Sequence, residues 1–358
     1  MPSLKEIKGR INSISSTLAI TSAMKMVAAA KLQKAQMAIQ NMLPYERRLY
    51  SMLVDLMGAM NISAAASEDG SVRGSGSAER GFDQSGDRLS LSNRHDLAGM
   101  DGAYSLMAQR EVRKVAIVAF ASNSSLCGAF NSNAIREATA VINEYRASGL
   151  GDADITVYSV GRKMAEAMKK LGFPSPADFT KMSDSPSYEA ASALAQELLD
   201  GFVSGRFDKV ELVYNHYKST SSQPTIRQTY LPLSLADATA DIQVGKITDS
   251  ASESDTNRVA EPVGAPVVRQ GSPTTEDLIV EPSKEALIAT LLPKVIRLRI
   301  FTTLLDSAAA EHAARTVAMQ LATDNGNDLL QELTLEYNKG RQQKITSEIL
   351  DLVGGSMQ

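Results

Sequence analysis

A seven-residue repeat of apolar side chains runs through both ends of the chain and constrains its fold more than any other feature. Counting from Leu4 to Met60 in alternating steps of three and four, fourteen of seventeen positions are apolar or Ala, and only Thr21, Lys25 and Glu46 break the stripe. A repeat sustained that long is a coiled-coil seam. At 1.5 Å per residue the helix is roughly 80 Å long. Pro44 predicts a kink or local interruption, because it has no N–H for the helical ladder.

The other end repeats the pattern. From Leu287 the same count runs through Leu298, Phe301, Leu305, Ala308, His312, Arg315, Met319, Ala322, Gly326, Leu329 and Leu333, with ten of fourteen positions fitting. Ile345, Ile349 and Leu352 resume the stripe in a shifted register, which predicts one helix over about 285–355 with a bend near Pro293. Asn325-Gly326 normally marks a turn. Inside unbroken periodicity it predicts a helix that tolerates a Gly penalty of about 1 kcal/mol.

Seams this long need partners. Two readings stay open on the pattern alone: arms that dimerise the chain, or terminal helices that pair antiparallel around the segment between them. Residues 1–58 carry eight basic and three acidic side chains, and residues 284–358 carry eight and nine. Such a pair retains excess positive charge for an acidic partner.

Between the arms lie β-rich runs at Lys114–Phe120, Ile155–Val160, Val210–Tyr214 and Thr225–Leu231, alternating with helical stretches near 131–147, 161–171 and 187–203. That alternation predicts a mostly parallel sheet covered by helices. Residues 61–110 hold nine Ser and seven Gly, and residues 237–281 hold nine acidic against three basic side chains. Both read as insertions. The expected organisation is an N-terminal helix over 1–60, a Ser/Gly-rich insertion over 61–110 and an α/β domain over 111–236. An acidic insertion over 237–275 and a C-terminal helix over 276–358 complete it.

Composition narrows the function. With 37 basic and 41 acidic residues in 358, the chain lacks the basic surplus of a general nucleic-acid binder. A single cysteine, Cys127, excludes an internal disulfide framework and a thiolate zinc cluster. No apolar run reaches the length of a membrane span, and no signal or transit pattern opens the chain, so an intracellular protein or part of a larger assembly is expected.

Catalytic chemistry is sought and mostly not found. The loop Ser122–Asn131 after the first strand occupies the place where phosphates bind in α/β units, but it carries neither phosphate-loop fingerprint. A tight structural turn is the expectation there. His95, His216 and His312 lie outside metal-ligand spacing of one another, and Cys127 reads as a small buried hydrophobe. His312 and Arg315 on the C-terminal seam either mark register or face a polar partner. The methionines of the first helix, at 24, 26, 37, 42, 52, 57 and 60, read either as core packing, the first expectation, or as an adaptable surface sliding against a partner. No catalytic residue, cofactor site or metal site is assigned.

Three motifs carry a resemblance. Thr21-Ser22-Ala23-Met24-Lys25-Met26-Val27-Ala28-Ala29-Ala30-Lys31-Leu32, the stretch from Ala314-Arg315 through Asn325-Gly326, and Leu335 through Ile349 resemble the signatures of the gamma subunits of F-type ATP synthases. Leu126-Cys127-Gly128 with Asn131, Tyr214-Asn215, Gln223-Pro224 and Leu231-Pro232-Leu233 also match, so the resemblance spans about 270 residues.

It implies an α/β plus coiled-coil fold, with the terminal helices forming an antiparallel coiled coil and a Rossmann-like α/β domain at its foot. It also implies a non-catalytic rotor, the central stalk. The coiled coil turns inside a hexamer of alpha and beta subunits, and the foot sits on the membrane c ring beside the epsilon subunit. Proton flow drives the rotation. The implied setting is peripheral, at the cytoplasmic face of a bacterial plasma (inner) membrane, with membrane association only through the complex.

By motif position the resemblance puts Met24, Lys25 and Arg315 near an acidic lever segment of beta, and Arg341, Gln342 and Thr346 against a beta loop higher in the sleeve. Glu281 falls in the foot, near the c ring or epsilon. Two departures stand out. Ala129 replaces a Gly common in the family, and Gly340 replaces a small helix former, which predicts local softening. The insertion at 237–275 lies where plant chloroplast forms carry two regulatory cysteines, and here it has none. The competing readings are a homodimeric coiled-coil scaffold and a Rossmann-type nucleotide enzyme with helical arms.

Overall fold

A computed structural model describes residues 3–59, 106–107, 109–233 and 284–355. Helix α1 spans Leu4–Ala59, 56 residues, and runs unbroken through Pro44. The final helix, α6, spans Lys284–Gly355, 72 residues, and passes Pro293 without interruption. Most of the two expected insertions, 61–110 and 237–275, and Glu281 with them, lie outside the described residues.

Four strands make one sheet: β1 (Val115–Phe120), β2 (Ile155–Val160), β3 (Lys209–Asn215) and β4 (Thr225–Leu231). Their order is β2-β1-β3-β4. β1 pairs in parallel with β2 and with β3, while β4 runs antiparallel on β3. The connecting helices are α2 (Phe130–Ala147), α3 (Arg162–Lys170), the short α4 (Thr180–Asp184) and α5 (Tyr188–Val203). All but α4 were expected from the periodicity, and α4 is too short for a periodic signal.

The strictly apolar β1 is buried on both faces, as a central parallel strand must be. Its Val115, Ile117 and Ala119 pack with Ala134, Ala138 and Val141 of α2 and Met164 and Met168 of α3. Ala116, Val118 and Phe120 face the other way, onto Leu194, Leu198 and Phe202 of α5. That second core also takes in Leu53 and Leu56 of α1 and Ile288, Leu292, Ile296, Ile300 and Leu304 of α6. The lower ends of both long helices are thereby built into the α/β domain.

Above it, α1 and α6 lie side by side and antiparallel. Tyr50 meets Arg299, Leu32 packs on Ala309 and Ala313, and the hydroxyls of Thr21 and Thr323 lie 3.3 Å apart. Leu18 sits against Gly326 and Leu4 against Gly340. Every described position of the α1 stripe, the exceptions Thr21, Lys25 and Glu46 included, is buried or half-buried.

On α6 the expected stripe needs correction past Met319. Thr323 and Leu330 face inward, while Ala322 and Leu329 are exposed. Gly326 is more than tolerated: a Cβ there would stand 2.6 Å from Leu18 Cδ2, so its missing side chain is the space Leu18 fills. The methionines also depart from expectation. Met26, Met37 and Met52 are exposed, because they lie off the stripe.

Candidate functional site

The loop after β1 is closed by its own side chains. Asn131 Oδ1 accepts from the backbone N of Ser122 and lies 3.0 Å from its Oγ as well. The carbonyl of Ser124 accepts from Asn131 Nδ2 at 3.2 Å and from Ser122 Oγ at 2.6 Å. Cys127 is buried with Phe130 against Ala310 of α6. The expectation of a tight structural turn and a buried small thiol holds. The cavity below it, lined by Ala121, Ser183, Ser307 and Glu311 among others, measures about 10 Å³. That is room for one water and not for a nucleotide.

Arg315 is spent inside the chain. Its Nη1 donates to Glu311 Oε1 at 2.7 Å and its Nη2 to Ser124 Oγ at 2.7 Å, and the residue is 9% exposed. It therefore joins the β1 loop to α6. Burial holds the Glu311 carboxyl above the usual range despite Arg315 beside it. His312, next in the same cluster, is pushed down to about 4 by burial and then by the charges of Arg315 and Lys31. Its Nδ1 is buried with no hydrogen-bond partner among the described residues. His216 behaves in the opposite way: it bonds Asp306 at 2.6 Å, and that bond raises its pKa.

Met24 and Lys25 are half-buried on α1. The register set by Leu18 with Gly326 places them at the height of Met319 and Gln320, about one helical turn from Arg315. These three residues share one level of the helix pair. Arg341, Gln342 and Thr346 lie elsewhere, roughly 40 Å further along α6. The same register carries them level with and past the start of α1, and all three are exposed. Thr346 Oγ1 donates to the carbonyl of Gln342 at 2.9 Å. Residues 341–353 form a bare helical tip, with Ile349, Leu350 and Leu352 open to solvent.

Sequence reasoning missed the polar ties between the domain and the helices: Ser124 and Glu311 on Arg315, and Asp306 on the loop after β3. One signal was available, a carboxylate at Asp306 inside the apolar and small-residue run Leu304–Ala310. Among the described residues no group of three His, Cys, Asp or Glu is placed to hold a metal ion.

A family model described as ATP synthase matches residues 3–357. The ATP synthase gamma chain of Phocaeicola vulgatus is 47% identical over 357 residues, covering 100% of both chains. The chain belongs to the ATP synthase gamma-chain family. The gamma chain of Bacteroides thetaiotaomicron is 45% identical over 358 residues, again across 100% of both, and that of Flavobacterium johnsoniae is 35% identical over 99% of this chain and 98% of its own. Among solved structures, a chain of the Euglena gracilis mitochondrial ATP synthase (OSCP/F1/c-ring, rotational state 3) matches with a TM-score of 0.52. At 18% identity, covering 99% of this chain and 93% of that one, it supports the fold. Family membership removes the competing enzyme and scaffold readings. The seam that a homodimer would have used is occupied within one chain, by α6 on α1.

Proposed function

We propose that this chain works as the central stalk of a bacterial, proton-translocating F-type ATP synthase, a rotor subunit that performs no chemistry of its own. The observation that carries the reading is its shape. Two helices, anchored together in an α/β foot at Leu53, Leu56, Ile288 and Leu292, extend as a pair and end in a bare tip at 341–353. The pair is read as a coiled coil that serves as a shaft.

A shaft must be stiff, and a long interlocked two-helix seam is stiffer than either helix alone. It must also turn inside a sleeve without locking. Exposed side chains spread along it, such as Ile20, Met26, Val27 and Met37, offer many weak contacts in place of one deep anchor. Because α6 outruns α1, the shaft is two helices thick below and one above. Turning it presents different faces to three surrounding catalytic beta subunits in succession, which cycles them for ATP synthesis.

In this reading Met24 and Lys25 meet the acidic lever of beta. Arg315 reaches it only by exchanging Glu311 for an outside carboxylate. Arg341, Gln342 and Thr346 meet a beta loop near the tip, and Glu281 belongs to the foot contact with the c ring or the epsilon subunit. Among the described residues no helix is long and apolar enough to cross a membrane. In the same reading the chain associates with the cytoplasmic face of the plasma membrane peripherally, through the complex. Native mass spectrometry of the complex purified from detergent-solubilised membranes tests the proposal. One copy with three alpha and three beta subunits is expected, and a homodimer free of both overturns it.

A further inference from the structure

The loop after β3 is fastened to both long helices at once. On α6, Asp306 Oδ1 accepts from the backbone N of Tyr217 at 2.9 Å, and its Oδ2 lies 2.6 Å from His216 Nδ1. On α1, Gln36 Nε2 donates to Tyr217 Oη at 2.6 Å. Tyr217 also packs against the buried cluster that Leu32 of α1 forms with Ala309 and Ala313 of α6. The loop is braced in turn by reciprocal backbone bonds between Ser219 and Ser222, at 3.1 and 3.2 Å.

Lower down, Tyr230 Oη donates to the carbonyl of Ile296 at 2.9 Å and Arg297 Nη2 to Gln196 Oε1 at 2.6 Å on α6, and both helices meet the foot by apolar contact at Leu53, Leu56, Ile288 and Leu292. Such contact opposes separation, but it is non-directional and resists sliding or twisting weakly. Hydrogen bonds are directional and lose strength steeply off axis. A loop tied to a single helix is a pivot. Tied to two helices whose axes stand about 8–10 Å apart, it opposes rotation of the pair as a couple. We infer that Tyr217 and Asp306 are positioning residues that set the angle of the helix pair on the foot, so that torque passes between foot and shaft through this clasp. The inference rests on the rotor reading above.

The test uses the whole complex in liposomes, with the wild-type chain, Asp306→Ala, Asp306→Asn and Tyr217→Phe. Two quantities are read: protons pumped per ATP hydrolysed, and the thermal angular variance of a probe on the c ring with the head fixed. Asp306→Ala, which removes the bonds to Tyr217 N and His216, and Tyr217→Phe, which removes the acceptor of Gln36, are expected to lower the pumping ratio and widen the variance by about twofold. Asp306→Asn keeps an acceptor for the Tyr217 N–H and should recover most of the loss, which a simple packing role would not produce.

Wild-type ratio and variance in both Asp306→Ala and Tyr217→Phe overturn the clasp while leaving the rotor reading intact. A wild-type complex that assembles but does not turn overturns the rotor reading and the clasp with it. If Asp306→Ala does not assemble, Tyr217→Phe, which removes one oxygen and keeps the ring, decides by the same two measurements.

Discussion

Arg299 on α6 engages Tyr50 on α1 twice: Nη1 donates to Tyr50 Oη at 2.9 Å, and the guanidinium lies 5.5 Å from the ring centroid. Both residues are buried where the helix pair enters the foot. A bond from a charged donor into a buried hydroxyl is worth about 1.5–3 kcal/mol. Tyr50→Phe keeps the ring and loses the bond, so it should destabilise the chain by the lower part of that range, read from urea denaturation. An unchanged midpoint would show that Arg299 finds full compensation in its other contacts.

Gly161, between β2 and α3, has φ +97°, and a Cβ there would stand 2.0 Å from the carbonyl oxygen of Ala121. The obstacle is backbone and cannot swing aside. Gly161→Ala should therefore cost about 3 kcal/mol or more, the upper range for single substitutions. Its effect should appear as loss of soluble, folded chain. Gly326→Ala meets only the flexible end of Leu18 while gaining helix propensity. Its midpoint should move far less.

His216 and His312, both half-buried, predict opposite responses to acid. His216 has its pKa raised above 6.5 by its bond to Asp306, with burial and then Lys218 opposing. Its contribution is complete below pH 6.5 and fades as pH rises through the raised value. His312 is lowered from 6.5 to about 4, so the unfolded chain takes up a proton that the folded one refuses. Its penalty grows as pH falls from 6.5 towards 4. His312→Gln should flatten the acid limb of a stability–pH profile, and His216→Gln the decline as pH rises from 6.5. Parallel profiles for wild type and His312→Gln below pH 6 would refute the assignment.

The tip offers a separation of stability from function. Ile349 and Leu352 are 54% and 75% exposed, so changing both to Ser should shift stability by no more than about 0.5 kcal/mol. If the tip runs in a sleeve, the same variant should lower ATP synthesis by the purified complex while leaving the thermal midpoint of the chain in place. Full synthesis activity would mean that these side chains meet nothing.

Much of this architecture was legible in the sequence because it rests on local periodicity. Strand β1 is apolar at every position and had to be central. The alternating stripe from Leu4 to Leu56 had to face a partner, and every described position of it does. The loop Ser122–Asn131 announced a turn by lacking any phosphate fingerprint, and its donors close on themselves. The proposal of which residues meet other subunits rests on resemblance alone, since Met24, Lys25, Arg341, Gln342 and Thr346 are unremarkable as side chains.

Sequence by itself determined that two long helices exist, which stripe of α1 is apolar, and where the sheet lies between them. Tertiary structure alone decided the phase of α6 beyond Met319. Positions three and four residues on flank the same seam, and periodicity cannot choose between them. The choice fell to Thr323 because its hydroxyl reaches that of Thr21, so a break in one stripe answers a break in the other. The clasp of Tyr217 by Asp306 and Gln36, and the union of Arg315 with Ser124, join residues 89, 181 and 191 positions apart. No local pattern encodes a bond across such a distance, because it forms only when the folded helices bring both partners to the same place.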